Sequence, residues 1–515
     1  MASFAPSKSK KAGKRTNAPA VLLPFHEGEA SRSEGGHMRG HPSKRSVPQW
    51  NVPPIDARGG GDASPINSTR APLIERPRYS CALGGALATV TALPEAIPIM
   101  HAASGCAGNF TWAQSGGGGL QVGGLCGGLT TPSSNVQEPE IVFGGVDRLT
   151  EEIKCTLEVM EGKLFIVLTS CVTDMIGDDV RRVTEELTSP QRPVISVETA
   201  GFKGNSYYGY DAVLQSLFRS FVAKSATKVR KRVNLWGIVP SLDVFWRGNI
   251  EALRLLLAKL GLDVNTFFSR SDTLDRIRTC ASAELNLVVS DAYGLDAARV
   301  FEEEHGTPFI TVPLPIGPSA TGGFLREVGS ALSIRKSVVE KLIDEGDDLF
   351  YSYLEPLTDP YNDFDMQRYA VVVGDCNYSY GVTRFLSDDL GWIPELAVCT
   401  DRPGDSAAAK LAERFTRLES GLRPALVFET DTSEIIRHLN ARWPGSRGER
   451  YYNAFSPAFV VGSSLDRELA ASLGAGHLSV SFPVTNRVVL DRGYCGYSGG
   501  LHLMEDLLGA IVATR

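Results

Sequence analysis

Three cysteines lie where backbone amides could reach a sulfur. Cys81 sits in YSCALGG (79–85), Cys106 in ASGCAG (103–108), and Cys171 directly follows the apolar run 163–169 (KLFIVLT) and precedes VTDMIGDD (172–179). Small neighbours admit N–H groups to a thiolate or an inorganic sulfide, the outer-shell bonding that tunes iron–sulfur centres. The competing reading is that cysteine is among the most buried residue types and usually does no chemistry. Separations of 25 and 65 residues fit no compact ligand motif, and no CxxC occurs, which removes zinc-ribbon and ferredoxin patterns. Spacing alone therefore favours the bystander reading. Nine cysteines, an odd number scattered over 515 residues, argue against a disulfide framework and for a reducing compartment, taken here as the cytoplasm. Other catalytic patterns are missing. There is no GxxxxGK[ST] phosphate loop, no HExxH, no GxSxG in a strand–turn–helix setting and no EF-hand loop. The eight histidines are scattered and none is assigned a metal.

The elements that must position these cysteines follow one rhythm from about residue 76: a short apolar run, a turn, then an amphipathic helix. The run 163–169 leads to a helix expected over 177–187, and 233–239 precedes 249–260. Likewise 285–289 precedes 295–305, 369–373 precedes 381–390, 425–428 precedes 433–440, and 458–461 precedes 465–473. Continuous apolar strands alternating with helices require parallel sheets covered on both faces. The expected fold class is α/β, with three Rossmann-like domains of mainly parallel sheet at 76–230, 231–365 and 366–515. The breaks fall at the basic stretch 224–232 and in a polar loop at 358–365. In such sheets ligands gather at the carboxyl ends of strands.

Residues 1–75 read as a flexible basic N-terminal extension. The first 50 residues hold nine Lys/Arg against three Glu, while the whole chain is acidic, with 52 basic and 59 acidic side chains. This head reads as an arm lying over an acidic partner subunit, with an organelle transit peptide as the alternative; it lacks the apolar stretch of a secretory signal. The acidic remainder excludes a nucleic-acid partner, and no apolar run approaches the ~18 residues of a membrane span.

The segments SCALGG (80–85), HAASGC (101–106), VFGG (142–145) and TSCVTDMIGDD (169–179) resemble, in order and spacing, the nitrogenase component 1 family. LNLVVSDAYGLDAARVFEEEHGTPF (285–309), PLPIG (313–317) and GYSGGLHLMEDL (496–507) extend the likeness to roughly residues 75–515. In that family two homologous subunits each give three cysteines to an [8Fe-7S] P-cluster at their interface. The resemblance thus implies Cys81, Cys106 and Cys171 as cluster ligands, and Phe143 on the face where the reductase docks. Three of three ligands separates the chain from dark-operative protochlorophyllide reductase relatives and cofactor-assembly scaffolds, which share a [4Fe-4S] cluster and whose β-like chain gives fewer cysteines.

The same resemblance implies a β-type (K) subunit with no catalytic residue of its own. The α-type ligand cysteine falls eight residues before the glycine of EEEHGTPF, Gly306, and that position here is Ala298, which cannot bind iron. Cys280 reads as a core thiol. Cys495 and His502 belong to a β-type ending, and the run 302–304 reads as a solvated helix face. Two departures stand out. Gly201 replaces a serine that can ligate the oxidised cluster, and SGGGGLQVGGLCGG (115–128) replaces an aromatic, basic stretch. Cys126 within that loop reads as a free thiol, with an extra cluster ligand or sensor as the alternative.

The implied function is that of a β-type subunit in a divergent nitrogenase-like reductase, resembling methylthio-alkane reductases that cleave C–S bonds. It implies a D-type (α) partner carrying a large iron–sulfur catalytic cofactor, an α2β2 heterotetramer, and a separate ATP-dependent [4Fe-4S] reductase homodimer. The alternatives are the β subunit of a dinitrogen-reducing, iron-only or vanadium nitrogenase, and a non-catalytic cofactor-assembly scaffold.

Overall fold

The computed structural model describes residues 76–106, 116–120, 131–442 and 457–513, all within a compact unit spanning 72–515. The N-terminal extension, Cys126 and most of the glycine-rich loop lie outside the described residues. Three parallel sheets carry the fold. The first orders β1 (Ala96–His101), β2 (Leu164–Thr169) and β3 (Val194–Val197) as β1-β2-β3. The second contains β4 (Val229–Trp236), β5 (Asp263–Asn265), β6 (Ala283–Val288) and β7 (Phe309–Thr311), ordered β5-β4-β6-β7. The third runs β10-β9-β8-β11-β12, from β8 (Tyr369–Gly374), β9 (Ile393–Cys399), β10 (Ala425–Phe428), β11 (Ala458–Gly462) and β12 (Gly476–Ser479). The α/β architecture with parallel sheets is therefore as the apolar runs require. Every residue of β2 is buried, which only a sheet covered on both faces allows. Among the described residues no helix is long and apolar enough to cross a membrane.

Local differences have local causes. The segment after β2 is two helices, Cys171–Ile176 and Val180–Leu187, where one helix from 177 was expected. Ser170 caps the first by bonding reciprocally with Thr173, and Gly177, at φ 78°, ends it in the left-handed region. The supposed polar loop at 358–365 holds a helix, Thr358–Asp363. Its Pro360 lies in the first turn, where no N–H is needed, and the Tyr361 hydroxyl donates to the Leu390 carbonyl at 2.7 Å. The helix after β8 begins at Cys376, five residues early, because the Asp375 carboxylate accepts the Tyr378 N–H at 2.8 Å.

Two features fix the segment that carries Cys81. Arg78 is buried and pairs with Asp466 at 2.6 Å and Thr432 at 2.7 Å, tying the chain just before the cysteine to loops beyond β10 and β11. Helix Ala82–Ala92 then lies directly on helix Ser206–Ser220. A Cβ on Gly85 would overlap the Ser206 carbonyl, and one on Gly209 would overlap that of Ala82. Gly85 of SCALGG therefore serves backbone-to-backbone contact. Replacing Gly85 by Ala should force these helices apart at a cost on the order of 1–3 kcal/mol, read as a lowered thermal midpoint; an unchanged midpoint would show that the contact yields freely.

Candidate metal centre

Each of the three cysteines follows from how its element begins or ends. Cys81 is the N-cap of helix Ala82–Ala92, and its backbone bridges to Asn205, flanked by Ala82 N–H to Gly204 O at 3.0 Å and Ser206 N–H to Ser80 O at 2.9 Å. Cys106 closes a helical turn beyond β1, its N–H bonded to Ala103 O at 3.1 Å. Cys171 opens the short helix after β2. Gly201, beyond β3, is where two of them meet: it donates its N–H to the Cys171 Sγ at 3.1 Å. A Cβ added there would lie 3.2 Å from the Cys171 sulfur and 3.3 Å from that of Cys81.

Burial pushes the Cys106 thiol up from its ordinary value, and the nearby charges of Cys81 and Cys171 push it further. The triad is too open for a single ion, since the only His/Cys/Asp/Glu group of three with all ligand atoms within 4.8 Å among the described residues is Cys376, Cys399 and Asp401. It is also turned outward. Cys171 is exposed, Cys81 and Cys106 are half-buried, and Cys81 borders an open recess of about 630 Å³ with Tyr79, Gly201, Tyr208 and Arg402. Exposed apolar side chains flank it in sequence: Met175 follows Cys171 on its helix, and Phe202 follows Gly201.

Phe143 ends helix Glu138–Phe143 and is 88% exposed. The turn behind it is clamped by residues to which the motifs gave no role. The Asp178 carboxylate accepts the Gly145 N–H at 2.9 Å and the His101 Nε2–H at 2.9 Å. His101 is wholly buried, and burial lowers its pKa against the opposing pull of Asp178, so the ring is held neutral; its Nδ1 accepts the Ser134 hydroxyl at 2.9 Å. The clamp ties HAASGC, VFGG and TDMIGDD together. Its partners are 33 and 77 residues from Asp178, a separation that no local sequence signal bridges.

The remaining residues singled out in the sequence lie elsewhere. Ala298 and Cys280 are fully buried in the core, Cys495 is buried, and His502 is partly buried with Nδ1 3.2 Å from the Gly493 carbonyl. Glu302, Glu303 and Glu304 are exposed on their helix, as expected of a solvated face.

Comparison with known proteins gives one consistent answer. The chain is 23% identical over 470 residues to a nitrogenase molybdenum-iron protein beta chain of Sinorhizobium fredii, covering 86% of this chain and 85% of that one. It is 22% identical over 481 residues to a nitrogenase vanadium-iron protein beta chain of Trichormus variabilis, covering 87% and 96%. A shorter match, 26% over 240 residues and about half of each chain (45% and 50%), joins it to the nitrogenase iron-molybdenum cofactor biosynthesis protein NifE of Methanosarcina barkeri. Its fold is similar to a solved structure described as nitrogenase Cp1 at pH 6.5, with a TM-score of 0.69 at 17% identity, covering 87% of this chain and 95% of that one. Residues 81–512 match the profile of the nitrogenase component 1 type oxidoreductases, and the chain belongs to that family.

Proposed function

We propose that this chain is the β-type subunit of a nitrogenase-like reductase, in which Cys81, Cys106 and Cys171 hold one side of an [8Fe-7S] P-cluster completed by a homologous D-type (α) subunit. The observation that carries the reading is the convergence of Cys81 and Cys171 on Gly201, with Cys106 near enough to feel the charge of both, on an outward-facing surface. The donors fit such a group: soft sulfurs spread too widely for one ion, an amide aimed at one of them, and an open side for a second chain's ligands. When bound, the cluster supplies reversible electron transfer. The protein's part is to place the thiolates, to tune Cys171 through the Gly201 N–H, and to exclude water once the partner covers Met175 and Phe202.

In this reading the working assembly is a cytoplasmic α2β2 heterotetramer, and an ATP-dependent [4Fe-4S] reductase homodimer docks where Phe143 projects. The substrate site lies in the partner, because the buried Ala298 offers no ligand for a catalytic cofactor. The proposed substrate is a methylthio-alkane, R–S–CH3, which two electrons and two protons convert to R–H and methanethiol. Gly201 and the glycine-rich loop set the chain apart from the β subunit of a dinitrogen-reducing nitrogenase. A second reading, a non-catalytic scaffold for cofactor assembly, is favoured by the match to NifE. The three domains at 76–230, 231–365 and 366–515 are part of the proposal, one sheet to each apart from the first two residues of β4, which precede the second.

Changing Cys81, Cys106 or Cys171 to Ala in the purified complex should lower its iron content and abolish the cluster's EPR signal; survival of both in all three variants would sink the ligand assignment. Gly201→Ser should keep the iron but shift the cluster's midpoint potential, because its side chain enters between the sulfurs of Cys81 and Cys171. Supplied with reductase and ATP, the complex should release methanethiol from 2-methylthioethanol. Ammonia from dinitrogen without methanethiol would transfer the chain to the nitrogenases proper, and an intact cluster with no turnover of either would favour the scaffold.

A further inference from the structure

The third sheet gathers a second set of sulfur ligands that the cluster does not use. β8 and β9 are neighbours, with Gly374 paired to Cys399. Cys376, two residues past the end of β8, therefore meets Cys399 at the end of β9, and Asp401 follows two residues later. The two sulfurs are 3.1 Å apart, and the Cys399 Sγ is 3.1 Å from Asp401 Oδ1. All three residues are buried.

We propose that Cys376, Cys399 and Asp401 form a binding site for a thiophilic divalent cation, Zn2+ by the chemistry of its donors. Two thiolates and one carboxylate are a zinc-type set, whereas hard ions such as Mg2+ and Ca2+ take oxygen alone. Zn–S bonds of about 2.3 Å in a tetrahedral arrangement separate two sulfurs by about 3.7 Å. The observed gap is therefore that of a closed, thiol-bonded site which opens by roughly half an ångström to admit the ion.

The surroundings hold the ligands in place. The Tyr293 hydroxyl donates to Asp401 Oδ2 at 2.5 Å, leaving Oδ1 turned to Cys399, and accepts the Cys376 N–H at 2.9 Å. Tyr207 stacks on Tyr293 with centroids 4.1 Å apart. Outer partners of this kind orient first ligands and raise their basicity. An ordinary core thiol packs against carbon, but these two face each other and a carboxylate. Among the described residues Asp401 bonds to the Tyr293 hydroxyl and the Cys399 thiol, with no Lys or Arg paired to it. Binding thus exchanges the thiol protons for the metal.

The test uses the full chain, purified without oxygen, stripped with a chelator and titrated with Co2+ as a spectroscopic stand-in and with Zn2+. A C81S/C106S/C171S variant should still bind one ion per chain, with thiolate-to-cobalt charge-transfer absorption and tetrahedral d–d bands. Adding Cys399→Ser should abolish the charge-transfer band or weaken binding at least tenfold. Asp401→Asn, nearly isosteric, should weaken binding similarly and serves if the serine variant fails to fold. Zn2+ should raise the melting temperature of the triple variant and leave that of the Cys399→Ser form unmoved. No stoichiometric binding by a folded triple variant, or binding that survives Cys399→Ser, would overturn the site.

Discussion

The contact between helices Ala82–Ala92 and Ser206–Ser220 is the constraint on which the cysteine face depends. Two backbones touch at Gly85 and Gly209 with no side chain between them. Interiors packed at crystal-like density do not absorb an added methyl group there without displacement. Because one helix begins at Cys81 and the other just past Gly201–Asn205, their separation sets how far the Cys81 sulfur stands from the Gly201 amide and from Cys171. Arg78, bonded to Asp466, prevents the same segment from sliding along its axis.

Parallel topology supplies the rest. Cys106, Cys171 and Gly201 follow β1, β2 and β3, the three neighbouring strands of one sheet, so residues distant in sequence emerge along one edge. The third sheet repeats the geometry: adjacent strands β8 and β9 deliver Cys376 and Cys399 to one point. Both sulfur groups lie at the carboxyl ends of strands, as open α/β sheets generally arrange their ligands. They differ in exposure. One faces outward, toward a surface a second chain can cover, and the other is closed within the fold.

Much of this was legible before any coordinates. The run LFIVLT read as a strand covered on both faces and is one, whereas the small residues after Cys81, read as room for amides at a sulfur, let two helix backbones touch at Gly85. The ordered motifs pointed to the family that the profile match bears out. Other features depend on contacts that local pattern does not encode. The helix starting at Cys171 rests on a single Ser170–Thr173 cap. The clamp of Asp178 on Gly145 and His101 spans three motifs, and nothing about a lone aspartate reveals its partners. Cys376 and Cys399, 23 residues apart, form no sequence motif, since only the adjacency of β8 and β9 brings their sulfurs together.

Exposure of Cys171 beside the half-buried Cys81 and Cys106 has a temporal consequence. A newly made chain presents its most oxidisable groups to solvent for as long as it remains alone, and thiols lost to sulfinic or sulfonic acid are not recovered by simple reductants. In the proposed assembly the vulnerable interval is biosynthetic: it closes when the second subunit covers these cysteines, so oxygen sensitivity should be greatest in the unpaired chain.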